Sequence, residues 1–202
     1  MTPKERIKHE AIKLFRAKGY ERTTVRDIAQ AVGIQSGSLF HHFASKEAIL
    51  KEAFSEAIAV TITAMQQRIA SSRTDREALL GLVECELNAV AGQEYSAVGL
   101  LIQEWRSLSE ESQAEMLQLR SDYEALWQQV LSEIYQKGGC RLEPFLLRKL
   151  LSGALGWVNT WFKGSGDYQL SDIAQQVVDW VLSEKPLVSQ KMRGLDNTLL
   201  CD

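Results

Sequence analysis

The sequence predicts an all-α protein of about nine helices, with a small three-helix unit at the N-terminus followed by a larger helical body. Three observations predict it. Apolar residues recur three and four positions apart in segment after segment. Helix-start signals precede those segments, among them Thr2-Pro3-Lys4-Glu5, Thr24 with Asp27, Thr74-Asp75-Arg76-Glu77 and Glu143-Pro144. Only three prolines occur, and alternating β-branched runs are few. With 45% hydrophobic residues, the 202-residue chain can bury a real core in one or two domains.

The first helix opens on Thr2 as cap and Pro3 at its first position. Ile7, Ala11, Leu14 and Phe15 form one stripe, and Gly19 ends it. Thr24 caps a short second helix whose apolar face is Val25, Ile28, Ala29 and Val32. Gly33 suits a turn with positive φ. Ser36 begins a third helix with Leu39, Phe40 and Phe43 on its buried side. Phe15, Ile28, Leu39 and Phe43 should close a three-helix core.

Ser45 caps a long helix to about Ala70, with the stripe Ile49, Leu50, Phe54, Ile58, Ile62, Met65 and Ile69. It spans ~38 Å at 1.5 Å per residue. Ser71-Ser72-Arg73 is a linker, and the Thr74 capping box starts a helix through Leu79, Val83, Leu87 and Val90, broken by Gly92. A shorter helix covers about Ser96 to Ser107. Ser109 caps a long one to about Lys137, through Met116, Tyr123, Val130 and Ile134, ended by Gly138-Gly139. Glu143-Pro144 starts the next, which Gly164 and Gly166 close. Ser171 caps the last, through Ile173, Val177, Trp180 and Val181, stopped by Pro186. Residues 186–202 are expected to be a loose tail.

The pair of helices between Thr24 and Phe43 has the helix-turn-helix pattern, whose second helix enters the major groove of DNA. An ordinary αα-hairpin fits the same pattern. The formal charge of −3 does not advertise a nucleic-acid binder, but it is unevenly placed. Residues 1–47 carry nine Lys/Arg and five Asp/Glu, net +4, while the remainder carries 14 and 21, net −7. A basic head on an acidic body is the asymmetry expected of a DNA-binding unit.

Thr23-Thr24-Val25-Arg26-Asp27-Ile28-Ala29, Gly33, Gly37-Ser38-Leu39-Phe40-His41-His42-Phe43 and Ser45-Lys46-Glu47 together resemble the DNA-binding signature of the TetR family of transcriptional repressors. Two positions depart from the family: Gln35 stands for its usual serine and Phe40 for its usual tyrosine. The resemblance implies a DNA-binding domain over 1–47 and a ligand-binding and dimerisation domain over 48–185. Gln35, Ser36, Ser38 and His41 then face base edges, where Gln can pair with adenine. Gly37 lets the backbone approach closely. His42 and Lys46 resemble the family's phosphate clamps, and the Lys46 amide sits at a helix N-terminus. Thr23, Thr24 and Arg26 can hold the phosphate across the groove, and Phe40 packs either on sugars or in the core. A homodimer would set two recognition helices about 34–36 Å apart on a palindromic operator.

Helix 144–163 is apolar around most of its circumference and so must be buried on two sides. Paired with helix 171–184 it would make half of a four-helix interface about a two-fold axis, through Leu147, Leu151, Leu155, Val158, Val177, Trp180 and Val181. A central helix of a monomer is the alternative. The family's position for dimerisation agrees with the interface. The resemblance also implies a small-molecule pocket in the body. Its lining would include Trp105, Met116, Arg120, Tyr123, Trp127, Trp157 and Trp161, with Gln103, Glu104, Arg106 and Asn159 as polar groups. Such aromatics also suit plain core. The segments Leu101–Ser109, Arg120–Tyr123 and Gly153–Phe162, followed by Leu170-Ser171, resemble a branch of the family that controls fatty-acid or sterol catabolism and responds to acyl-CoA thioesters. That implies an apolar effector whose anionic end meets Arg120, Arg106 or Arg148. An aromatic or drug-like effector fits the lining equally.

Other classes fare worse. His9, His41 and His42 all lie in the head, away from Cys85 and Cys140, and no HExxH or CxxC spacing occurs. Neither an enzyme, a metal site nor a cofactor is expected. Cys85, Cys140 and Cys201 suggest no disulfide framework, leaving a thiol sensor as a different-class alternative, beside a helical adaptor that binds no DNA. The charged N-terminus is not a signal peptide and no apolar run reaches a membrane span, so a cytoplasmic chain with reduced thiols is expected.

Overall fold

The computed structural model describes residues 1–91 and 97–182. Among the described residues there are ten α-helices: α1 Pro3–Lys18, α2 Val25–Val32, α3 Ser36–Phe40, α4 Lys46–Ser71, α5 Asp75–Ala91, α6 Ala97–Glu104, α7 Glu110–Leu119, α8 Ser121–Gln136, α9 Pro144–Trp161 and α10 Leu170–Val181, with a 3-10 turn at Trp105–Ser107. The expected ends at Gly92 and Ser96, and the tail with Pro186 and Cys201, lie outside the described residues.

The caps act as the sequence suggests except at the last helix, where α10 already begins at Leu170 and Gln169 stands at the cap position, its amide donating to Asp172, so Ser171 lies inside the helix. Thr2 and Glu5 close a reciprocal capping box on α1, and Thr24 and Asp27 close another on α2. Gly33 takes the left-handed conformation (φ 78°, ψ 32°) that turns α2 into α3. The Ser45 hydroxyl accepts from the Ala48 amide at the start of α4, and the Glu143 carboxylate accepts from the Phe145 and Leu146 amides at the start of α9.

One expected element is two. The helix from Ser109 breaks between α7 and α8 at Arg120, whose amide is shared between the carbonyls of Met116 (3.3 Å) and Leu117 (3.2 Å). That tightening of the last turn ends α7, and a single apolar stripe running through both helices does not reveal it.

The head packs Ile7, Ala11 and Phe15 of α1 against Ile28 of α2, Leu39 of α3 and Phe43, all buried. Phe40 departs from its expected buried side and is 54% exposed. In the body α5 is central: it packs against α4, α6, α8, α9 and α10. Leu79, Leu82, Val83 and Leu87 face Phe54, Ile58 and Met65 of α4 on one side and the apolar faces of α8 to α10 on others.

This arrangement corrects the expected dimer residues. Leu147, Leu151, Leu155, Val158 and Val181 are buried within the chain itself, Val177 is half-buried, and only Trp180 is exposed (41%). α9 is indeed apolar on two sides, but the stripe left bare is Leu146, Leu150, Trp157 and Trp161.

A buried ionic group ties α5, α8 and α9. The Arg148 guanidinium donates to Glu124 from Nε (2.8 Å) and Nη2 (3.0 Å), and its Nη1 lies 3.1 Å from Glu86 Oε2. It lies over the rings of Trp127 and Tyr123, and the Tyr123 hydroxyl donates to Glu86 at 2.6 Å. Arg120 adds a second cation on Glu124. Burial pushes the Glu86 carboxyl up, and Arg148 opposes that shift. Arg148 is therefore occupied by two carboxylates, and the expectation that it could receive an effector's anionic end is corrected.

Arg148→Ala should cost about 3–5 kcal/mol in urea unfolding, because Glu86 is left buried and unpaired. Arg148→Met combined with Glu86→Gln should recover a large part of that loss, since both buried charges leave together.

Candidate nucleic-acid interface and ligand cavity

The turn at Gly33 and the buried Leu39 hold α3 on the head with its polar side outward. Gln35, Gly37, Ser38, His41 and His42 are exposed, as is Phe40, and Ser36 is half-buried. Gln35 occupies the cap position without a side-chain cap bond. Arg26 is exposed on α2. These residues share one outward surface chemistry: amide, hydroxyl, imidazole and guanidinium groups around a glycine, beside one bare aromatic ring.

Three other predicted residues are spent internally. The Thr23 side chain is buried and its hydroxyl donates to the carbonyls of Gly19 (2.9 Å) and Leu14 (3.3 Å), so it closes the α1–α2 turn rather than facing outward. The Thr24 hydroxyl is engaged with Asp27 in the α2 cap. The Lys46 ammonium turns back to the carbonyls of Tyr20 (2.8 Å), Glu21 (3.3 Å) and Thr23 (3.4 Å), and lies over the Tyr20 ring. Its amide remains at the first turn of α4. Arg6, which drew no notice in the sequence, braces the far end of α2 by donating to the Val32 carbonyl at 2.6 Å.

The body contains a cavity of about 700 Å³ between α4, α5, α8, α9 and the turn after α6. Of the residues expected to line it, Trp105, Arg120, Tyr123 and Trp157 do, together with Arg106 and Asn159. Met116 and Trp127 are corrections: both are fully buried in the core and form no part of this wall. Trp161 is a third, being 49% exposed on the bare stripe of α9. Gln103 lies among side chains outside the described residues.

Several wall residues escaped the sequence reading, four of them informative. Phe54, Ile58 and Thr61 come from α4, and Glu86 from α5. Glu86 carried a signal, a lone carboxylate among the apolar positions Leu82, Val83, Leu87 and Val90. The α4 residues look like ordinary stripe until a neighbour fails to cover them. The cavity therefore combines aromatic and aliphatic walls with two guanidinium groups, Arg106 and Arg120, and a carboxylate held by Arg148 and Tyr123. It suits an apolar molecule with an anionic group.

Polar contacts join the head and the start of α4 to the rest of the body, beside the ion pairs of Lys4 and Lys8 with Glu52 and Glu56. The Tyr20 amide donates to Glu104 (3.3 Å), and Arg16 to Asn159 (3.2 Å). Lys51 pairs with Glu115. Glu47 accepts from the Ser109 amide (3.0 Å) and hydroxyl (2.9 Å) at the cap of α7. α4 is thus tied to α7 at the same end that begins the head.

Comparison with known proteins finds two family models. One, for bacterial regulatory proteins of the tetR family, matches residues 7–53, and one for the tetracyclin repressor-like C-terminal domain matches residues 72–184. The HTH-type transcriptional repressor KstR2 of Mycolicibacterium smegmatis is 30% identical over 176 residues, covering 85% of each chain. Among solved structures, the superantigen PfiT is 43% identical with a TM-score of 0.77, covering 91% of this chain and 98% of its own. AibR in complex with isovaleryl coenzyme A and operator DNA is 22% identical with a TM-score of 0.80, covering 90% and 98%. The last supports the fold alone.

The Ser112 hydroxyl, with the Ser109 amide and hydroxyl, holds the Glu47 carboxyl below the usual carboxylate range. A depressed acid stabilises the fold above its unfolded value, about pH 4.3, and that contribution is lost as pH falls through the folded value. Thermal melts of the wild type should therefore fall off in acid below about pH 4.3 more steeply than those of Glu47→Gln, whose acid limb should be flatter.

Proposed function

The chain belongs to the TetR family of bacterial transcriptional regulators, and from that premise we propose that it is a repressor released by an acyl-CoA thioester. In this reading it binds a palindromic operator as a homodimer. The observation that carries the effector half is the cavity: aromatic and aliphatic walls, about 700 Å³, with Arg106 and Arg120 in the same wall. The apolar acyl part fills it and the anionic part meets a guanidinium. KstR2 of Mycolicibacterium smegmatis is a transcriptional repressor, and AibR binds isovaleryl coenzyme A and operator DNA; both fit the reading without deciding it.

The DNA half uses residues 1–47 as the head. Gln35, Ser36, Ser38 and His41 read base edges, with Gly37 permitting close approach. Arg26, His42 and the Lys46 amide hold phosphates, and the exposed Phe40 ring packs on sugar. The Lys46 side chain contributes indirectly, by fixing the Tyr20–Thr23 turn beside α2. The dimer covers the bare stripe Leu146, Leu150, Trp157 and Trp161 of α9, joined by Trp180 of α10. Release requires only that the effector prefer the geometry in which the two heads no longer match the operator, a coupling of about 1–3 kcal/mol.

Gel shifts on a duplex selected from random sequence should show two chains per palindrome. Gln35→Ala should relax preference at particular base pairs by about 1–3 kcal/mol, and Lys46→Ala should weaken binding to every sequence alike. No effect from either change would count against this interface.

Isothermal titration with acyl-CoA thioesters of increasing chain length should show binding, and the binding species should dissociate the operator complex. Arg120→Ala should weaken that binding about tenfold, the loss of one charge-assisted contact. Heat from none of the series, with release by aromatic compounds instead, would replace the thioester by an aromatic effector.

A further inference from the structure

Asn159 faces two cavities. On one side it lines the effector cavity, beside Trp157. On the other it lines a second cavity of about 730 Å³ with Arg16 of α1, Asn88 of α5 and Ser171 of α10. Its carboxamide makes two hydrogen bonds to different elements. Nδ2 donates to the Gly99 carbonyl of α6 at 3.2 Å, and Oδ1 accepts from Arg16 Nη2 at 3.2 Å. The partners fix the orientation of the amide, because a carbonyl only accepts and a guanidinium only donates.

The α6 side of this joint has no slack. A Cβ on Gly99 would stand 2.5 Å from the Val90 carbonyl oxygen and 2.9 Å from Asn159 Oδ1, so only glycine lets α6 lie this close to α5 and α9. The other end of α6 also reaches the head, where Glu104 accepts from the Tyr20 amide. Arg16 and Tyr20 flank the last turn of α1. That turn is therefore held by α6 and α9 together.

We propose that Asn159 is the positioning residue through which occupancy of the effector cavity reaches the DNA-binding head. A ligand group bonded to the Asn159 carboxamide turns it about its last side-chain torsion. The group is planar, and its two bonds sit at opposite ends, so rotation weakens both at once. α6 is then loosened from α9, and the last turn of α1 loses its Arg16 bond to α9 and keeps its Tyr20 bond only to the loosened α6. The head is freed through α1, in addition to whatever movement α4 transmits. This builds on the reading of the cavity as the effector site.

Amide hydrogen exchange on the full chain without ligand tests the joint itself. Asn159→Ala should accelerate exchange about threefold or more both in residues 16–23 and in residues 99–104. Asn159→Asp keeps the acceptor for Arg16 but loses the donor to Gly99, so residues 16–23 should stay protected while residues 99–104 do not. Unchanged exchange at residues 16–23 in Asn159→Ala, or equal loss at both segments in Asn159→Asp, overturns the proposal.

Palmitoyl-CoA then tests the transmission. Operator affinity of the wild type should fall on adding it, whereas for Asn159→Ala the affinities with and without it should agree within about twofold. An undiminished fall in the variant overturns the relay. If palmitoyl-CoA changes the affinity of neither protein, the thioester reading fails, and the exchange data alone decide for or against the joint.

Discussion

The body depends on one buried cation. Arg148 reaches from α9 into the space between α5 and α8 and satisfies two carboxylates there, Glu124 with two hydrogen bonds and Glu86 beside it. Charges so deep are costly unless each is paired and hydrogen-bonded, and here the Tyr123 hydroxyl and the Trp127 ring complete the surroundings. The group does more than join helices. Glu86 and Tyr123 belong to the cavity wall, and Arg120, which pairs with Glu124, is another part of it. The polar groups a ligand would meet are therefore pre-set by contacts on their far side.

The head is built on the same logic with smaller parts. An eight-residue α2 and a five-residue α3 are too short to be stable alone, so tertiary contacts carry them. Leu39 anchors α3 in the core, Arg6 braces the end of α2, and Lys46 gathers three carbonyls of the α1–α2 turn. The outward side chains are then left free of structural duty. At the junction with the body, hydrogen bonds at Arg16, Tyr20 and Glu47 stand beside an apolar core that continues from Phe15 and Phe43 into Leu50 and Phe54.

Much of this was legible in residues taken in order. The caps at Thr2, Thr24, Ser45 and Glu143 stand where expected, and the turn at Gly33 has the positive φ that its glycine suggested. Phe15, Ile28, Leu39 and Phe43 close the head core as their spacing implied. The candidate cavity was only partly legible. Trp105, Arg120, Tyr123 and Trp157 lie in its wall, but Met116 and Trp127 are core and Trp161 is outside. An aromatic at helical spacing looks the same whether another helix covers it or an empty space does.

The sequence by itself determined most of the helices and their caps, the helix-turn-helix and the family, because these rest on local periodicity, capping chemistry and an ordered run of residue types. Tertiary structure alone decided which of the two apolar stripes of α9 its own chain would bury, since periodicity reveals both stripes and the placement of α5 and α8 selects between them. It also decided that Thr23 and Lys46 would serve the α1–α2 turn and that Arg148 would be consumed by Glu86 and Glu124. Most of those partners, up to sixty-two residues away, become neighbours only when the chain is packed.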